Sequence, residues 1–176
     1  MLIPSITTER LLLRAFEPGD VEPYVTMMGD AEVTRHLGDG RPLSRADAWR
    51  QLAMFAGHWT LKGFGLWAVE EHATGNFIGR IGCMEPEGWP GFEVVYTLAR
   101  PAWGRGYARE GAAVALRFAH DRLGRRDVIS IIRPANAGSI RVASSLGALP
   151  DGEVEFFGAP AMIYRYPLPA DRSAPA

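Results

Sequence analysis

The sequence predicts a mixed α/β domain, a mixed sheet with helices packed on it. Three observations carry this: a meander of strand patterns in the first half, a strand–helix–strand–helix succession over 91–147, and two closing strand patterns. The chain has 176 residues, the length of one domain. A chain of that size buries about 70% of its unfolded surface and needs no disulfide or metal staple. Residues 1–168 read as one domain. The small, polar, proline-rich stretch 169–176 reads as a flexible tail.

The elements follow in order. Residues 10–16 suggest a first strand. Asp20 is positioned as the N-cap of a helix running to about Met28, with Pro23 tolerated in the first turn. Ser44, with Asp47 three residues on, opens a second helix in which Trp49, Leu52, Ala53, Ala56 and Trp59 recur at helical spacing. Residues 66–71 and 76–84 read as two strands of a hairpin whose turn contains Gly75. Residues 91–99 form a further strand. A glycine-bearing loop then opens a long helix with the apolar stripe Ala108, Ala112, Ala115, Leu116, Ala119 and Leu123, closed by Gly124. Val128 to Ile132 is a short apolar strand, Asn136 caps a helix to Leu146, and Gly147 stops it. The last two strands fall near 153–157 and 161–167.

Composition narrows the function. Lys plus Arg is 19 against 20 for Asp plus Glu, so no broad basic field exists and no nucleic-acid partner is expected. A single cysteine, Cys83, excludes an internal disulfide and any multi-cysteine zinc site, and no metal is expected. No apolar run approaches the ~18 residues of a membrane span. Glu9 and Arg10 interrupt the apolar start before a signal-peptide core, so a cytoplasmic protein without a membrane partner is expected. Monomer and homodimer both stay open.

The strongest chemical feature is the strand–loop–helix junction over 97–110. A helix start leaves about four N–H groups without partners and carries partial positive charge. Gly104 and Gly106 leave those groups open to a phosphate. A bland strand–helix turn explains the same spacing equally well. The nucleoside-triphosphate loop pattern is absent, and a dinucleotide fingerprint fails because Arg109 stands at its third glycine.

The run Trp103-Gly104-Arg105-Gly106-Tyr107-Ala108 resembles the pyrophosphate loop of the GNAT superfamily of acyl-CoA-dependent N-acetyltransferases, with Trp103 where Gln or Arg is usual. Thr8-Glu9-Arg10-Leu11-Leu12-Leu13-Arg14, Glu93-Val94-Val95-Tyr96-Thr97-Leu98 and Asn136-Ala137-Gly138-Ser139 are similar to motifs of its ribosomal-protein N-terminal (Rim-type) subgroup. Leu146-Gly147 follows one residue earlier than that subgroup's loose spacing, and Ala148 stands where an aromatic is common. The resemblance covers about residues 6–168. It implies a central, mostly antiparallel twisted sheet flanked by helices, acetyl-CoA as cosubstrate, and direct attack of a primary amine, from a peptide N-terminus or a small molecule. A catalytically inactive acyl-CoA-binding or partner-binding module is the alternative.

Within that resemblance, Glu93 is the candidate base, a lone carboxylate in an apolar strand where desolvation raises its pKa. Solvent exposure or pairing with an arginine such as Arg80 is the competing reading. Ser139 is the candidate proton donor to the leaving thiolate, or simply a second capping hydroxyl. The resemblance places the cofactor against the backbone of Tyr96 and Leu98, the loop Trp103, Gly104, Arg105, Gly106, Tyr107, Ala108 and Arg109, and the amide of Asn136, which also suits a helix cap. His36 and His58 are read as surface or core, with the edge of an acceptor pocket as the alternative, and Cys83 as core. The acceptor pocket is expected between the 20–62 helices and the strands near 153–163, lined by aromatics such as Trp49 and Phe157.

Overall fold

A computed structural model describes residues 2–168; the tail expected at 169–176 lies outside the described residues. The strands are β1 (Ile6–Thr7), β2 (Leu11–Arg14), β3 (Leu66–Glu71), β4 (Asn76–Met84), β5 (Glu93–Leu98), β6 (Ile129–Ile132), β7 (Leu149–Phe156) and β8 (Ala159–Arg165). The helices are α1 (Val21–Met28), α2 (Ala31–Thr34), α3 (Arg45–Lys62), α4 (Tyr107–Asp121) and α5 (Ala137–Ser145). The eight strands form one sheet in the order β1-β2-β3-β4-β5-β6-β8-β7. Every adjacent pair is antiparallel except β5–β6, which is parallel because α4 carries the chain across between them.

Two apolar clusters hold the layers together. Ile81, Cys83, Val94 and Phe92 pack with Ala112, Ala115 and Ala119 of α4. Tyr24, Met27 and Met28 of α1 and Leu52 and Phe55 of α3 pack with Leu66 and Met84. Each fully buried large apolar side chain contributes about 1.5–3 kcal/mol relative to exposure. Cys83 is buried, as its alternation suggests.

The hairpin strands 66–71 and 76–84 fall where expected. Ser44 caps α3 by accepting from the Asp47 N–H at 3.1 Å. The buried stripe of that helix is Ala48, Leu52, Phe55 and Trp59; Trp49 is 58% exposed and Ala53 and Ala56 face solvent, so the stripe is rotated from the one expected. Asp20 precedes α1 but its side chain does not cap it. It accepts instead from Arg14 (2.7 and 2.9 Å) and from the Glu17 N–H, because a buried carboxylate gains more from a bidentate guanidinium than from one amide. Helix α2 has no counterpart in the sequence reading; Asp30 caps its four residues.

Strands β4 and β5 approach so closely at Gly79 that a Cβ there would lie 2.3 Å from the Thr97 carbonyl oxygen and 2.8 Å from Leu98 Cα. We expect Gly79→Ala to cost about 3 kcal/mol, since backbone cannot yield as a side-chain end can. Gly124→Ala, at φ +65° in open space, should cost only about 1 kcal/mol. Urea unfolding of the two variants checks the difference; equal losses would show that the close approach is not limiting.

Candidate active site

The parallel contact between β5 and β6 consists of one registered pair, Glu93 opposite Ile129. Beyond it the strands diverge. Backbone groups alternate along β5: Ala99 N–H bonds to Ile78 on the β4 side, whereas Phe92 O accepts from Ile129 on the β6 side. The gap-facing groups therefore belong to Val94, Tyr96 and Leu98. Ser130 Oγ donates to Val94 O at 2.6 Å, and the Trp103 indole donates to Leu98 O at 2.7 Å. Among the described residues no strand opposes Tyr96 on this side, and its backbone N–H and C=O face the gap.

Two cavities meet at this divergence. One, of about 550 Å³, lies between the end of β5, the 103–109 loop and α5, and includes Trp103, Gly104, Gly106, Tyr107, Ala108 and Arg109. The other, of about 470 Å³, lies between α3, the 36–43 loop, β5, β6 and the β7–β8 hairpin. Tyr96, Asn136, Ser139, His36 and Leu37 line both.

The loop brings its backbone amides to the first cavity. Gly104 (φ +72°) and Gly106 (φ +80°) adopt the left-handed conformation that glycine takes without strain, and this turn aims the start of α4 at the cleft. The first bond into the helix runs from Glu110 N–H to Gly106 O at 3.1 Å. The N–H groups of Tyr107, Ala108 and Arg109 precede it and have no intrahelical acceptor, which suits an anion. Behind the loop Arg10 bonds Arg105 O at 2.8 Å and pairs with Glu110, bracing the turn. A diphosphate-bearing ligand such as coenzyme A fits this arrangement of free amides, open strand edge and cleft.

Glu93 sits at the apex of the divergence and is buried. Its Oε2 accepts from the Trp89 indole at 2.7 Å and its Oε1 from the Ile131 N–H at 2.9 Å. Both bonds favour the carboxylate, but burial outweighs them and pushes the carboxyl up to about 7. Tyr96 donates its hydroxyl to Ser139 O at 3.0 Å, tying β5 to the first turn of α5. Because Ser130 gives its proton to Val94 O, the Tyr166 hydroxyl is the donor in its 3.0 Å bond to Ser130. Burial raises the Tyr96 phenol far above its ordinary value and that of Tyr166 to about 12, so both stay protonated.

The structure brings Tyr96, Ser139 and Asn136 together where the two cavities meet, with the loop residues on one side, while Glu93 lines only the 470 Å³ cavity. Asn136 Oδ1 caps α5 by accepting from the Ser139 N–H at 3.1 Å. Leu98 lines the first cavity with its carbonyl already taken by Trp103. Arg105 is turned away: its side chain pairs with Glu71 at 2.7 Å and lies over the Tyr107 ring, outside the cleft lining, because a buried carboxylate waits behind the loop. Glu93 has no ion pair with Arg80 and does not face solvent, so neither competing reading of it holds. His58 is core, bonded to Phe64 O and to the Glu85 N–H. His36 lines both cavities, the alternative to the favoured surface-or-core reading. Phe157 lines the 470 Å³ cavity as expected; Trp49 does not, since the helix presents its other face.

Sequence reasoning missed Trp89, Ser130, Arg133 and Tyr166. Trp89 stands in the Pro86–Pro90 loop four residues before Glu93, a spacing with no periodic signal. Trp89, Phe156 and Phe157 stack edge to face with centroids 4.6–5.9 Å apart. Phe157, at φ +50°, is the non-glycine residue with a left-handed backbone among those described, held at the tip of the β7–β8 hairpin. Arg133 joins opposite walls, donating to Gly38 O at 2.9 Å and to the carbonyls of Ala159 and Pro160. No group of metal-ligating side chains occurs among the described residues, and no described helix is long and apolar enough to cross a membrane.

Residues 10–149 match the family model described as acetyltransferase (GNAT) domain. The chain is similar to the uncharacterized protein YkkB of Bacillus subtilis, 29% identical over 91% of this chain and 94% of that protein. It superposes on the crystal structure of an acetyltransferase from Agrobacterium tumefaciens with a TM-score of 0.84 at 28% identity, covering 94% of this chain and 95% of that one. At 15% identity it shares the fold of a ribosomal L7/L12 alpha-N-protein acetyltransferase solved in complex with coenzyme A (TM-score 0.78; 96% of this chain, 100% of that chain).

Glu93 gives a pH signature. Its folded value, about 7, lies above the ordinary 4.5, so between those values the folded state holds the proton more tightly. Its contribution to stability is therefore full below about pH 4.5, declines as pH rises to 7 and is flat above, by about 3 kcal/mol in all. Urea unfolding across pH 4–9 should show this decline in the wild type minus Glu93→Gln difference curve. A flat difference curve would mean that the carboxyl is not perturbed.

Proposed function

The chain belongs to the GNAT acetyltransferase family and is an acetyl-CoA-dependent N-acetyltransferase, and on that premise we propose that its acceptor is a primary amine bound in the 470 Å³ cavity and deprotonated by Glu93. The observation that carries this reading is a buried carboxyl with a pKa of about 7 in the wall of the cavity that adjoins the loop cleft. A base is most effective when its pKa lies near the working pH, because it is then partly ionised and still basic enough to take the proton.

In this reading the 103–109 loop and the open edge of β5 hold the cofactor, with the thioester directed to the junction. The free amides of Tyr107, Ala108 and Arg109 meet the diphosphate, and the backbone of Tyr96 and the remaining N–H of Leu98 meet the amides of the pantetheine arm. Trp103 braces the strand end that they use. Arg105 supports the loop from behind through Glu71. The amine nitrogen attacks the thioester carbon as the carbon–sulfur bond breaks. Glu93 takes a proton from the amine, directly or through water, the Ser139 hydroxyl gives its proton to the departing sulfur, and the proton held by Glu93 returns to Ser139 through water, so both residues end as they began. Tyr96 and Asn136 act as positioning residues, fixing the first turn of α5 that carries Ser139.

The cavity is of the size that encloses a small molecule or the first residue or two of a peptide. Near-neutral net charge supports an acceptor other than nucleic acid.

Thiol release from acetyl-CoA, screened over small amines and peptides with free or blocked N-termini, tests the acceptor class. Blocking the amine should abolish turnover, and Glu93→Gln should lower kcat by about 10²–10⁴-fold at neutral pH with partial recovery at high pH, where more amine is neutral. Turnover of hydroxyl acceptors alone would refute the amine, and wild-type rates in the variant across pH would remove Glu93 from catalysis. Separately, Gly106→Glu should weaken coenzyme A binding strongly, by calorimetry, in a protein that remains folded. Unchanged affinity would place the diphosphate elsewhere.

A further inference from the structure

Arg80 is an unusual occupant of the acceptor cavity. It lines that space, yet it is only 5% exposed and, among the described residues, no other arginine or lysine is buried. A buried cation is stable when a carboxylate and hydrogen-bond acceptors face it. Here Arg80 forms no ion pair with any described carboxylate, and its Nε is buried without a hydrogen-bond partner.

No neighbour supplies the missing charge at ion-pair distance. Thr97, directly opposite on β5, has a buried hydroxyl that is itself unbonded. Glu93 shares the cavity and its charge reaches Arg80 through space, but its oxygens accept from Trp89 and Ile131 and form no ion pair with the guanidinium. Asp20 and Glu70 are taken by Arg14. The Tyr24 phenol gives its proton to Gln51 and offers its oxygen to Arg80 as a neutral acceptor, so it carries no charge to offset the guanidinium. Phe55 lies under the guanidinium at 4.9 Å, which steadies the plane of the group but offers no acceptor for its N–H donors. The register places Arg80 opposite Thr97 and Glu93 opposite Met84, so Arg80 and Glu93 project from the same face of the sheet into one cavity.

We propose that Arg80 is the specificity-determining residue of this cavity and binds a carboxylate carried by the amine acceptor. The inference rests on the amine reading above. The guanidinium offers its N–H groups in the planar fork that matches a carboxylate. Trp89, Phe156 and Phe157 wall the other side with aromatic surface, so the acceptor is an amine bearing both a carboxylate and an apolar or aromatic body. A free amino acid supplies the carboxylate directly. A peptide N-terminus supplies it only through an acidic side chain near the amine.

Two measurements test this. The first compares arylalkyl amino acids of α, β and γ spacing with their primary amides, and peptides with Glu at the second position with their Gln counterparts, by thiol release. Wild type should favour the carboxylate form by roughly 10- to 100-fold in kcat/KM, the range expected for hydrogen bonds to a charged group. Which pair shows the preference identifies the source. In Arg80→Met the ratio should fall to near one, and in Arg80→Lys it should be partly retained; any change in Glu93 basicity affects both members of a pair equally and cancels. The second measurement needs no turnover: calorimetric titration of 3-phenylpropanoate and 3-phenylpropanamide into the wild-type protein saturated with coenzyme A. The carboxylate should bind more tightly, and only in the presence of Arg80. Equal affinity for both probes, or a preference that survives Arg80→Met, would overturn the proposal. Turnover of amines without carboxylate preference would sink this inference and leave amine acetylation standing. Arg80-dependent binding of the carboxylate with no amine acetylated would do the reverse.

Discussion

The structure depends on a parallel strand pair that is allowed to form only once. Glu93 and Ile129 register, and past them β5 and β6 separate. In an ordinary sheet every later backbone group of β5 would be satisfied by β6. Here Ser130 and Trp103 repair two of those groups with side chains, and the remaining open edge faces a cleft instead of a strand. The helix that crosses between the two strands begins at that cleft, so its free amides and the free strand edge face the same space. One topological choice thus creates both polar surfaces.

The apex of the divergence is also the place where a carboxyl is hardest to hydrate. Trp89 and Ile131 each donate to Glu93, and two such bonds on an exposed carboxylate would lower its pKa. The opposite outcome shows that desolvation is the larger effect here. The hydrogen bonds then serve mainly to orient the group. Trp89 performs a second task, since the same ring stacks on the hairpin aromatics, so one side chain helps both to orient Glu93 and to shape the 470 Å³ cavity.

The architecture was legible because it is written in short-range patterns. A hairpin pattern turning at Gly75 located β3 and β4, Ser44 and Asn136 announced their helices through capping chemistry, and the two glycines marked the turn before α4. Glu93 stood out as a lone charge in an apolar strand. What was not legible depends on contacts distant in sequence. Trp49 and Leu52 are equally apolar, and only packing against the sheet decides which faces inward. The direction of Arg105 is set by Glu71, and the burial of Arg80 by Phe55. Asp20 has the identity of a capping residue, but Arg14, six residues earlier, claims it.

The bonds of Arg133 have a kinetic side. By holding Gly38 on one wall and Ala159 on the other, its guanidinium makes the 36–43 loop and the β7–β8 hairpin a single mechanical unit. Moving either wall outward breaks charge-assisted bonds made by this one side chain, which adds a barrier to widening the mouth.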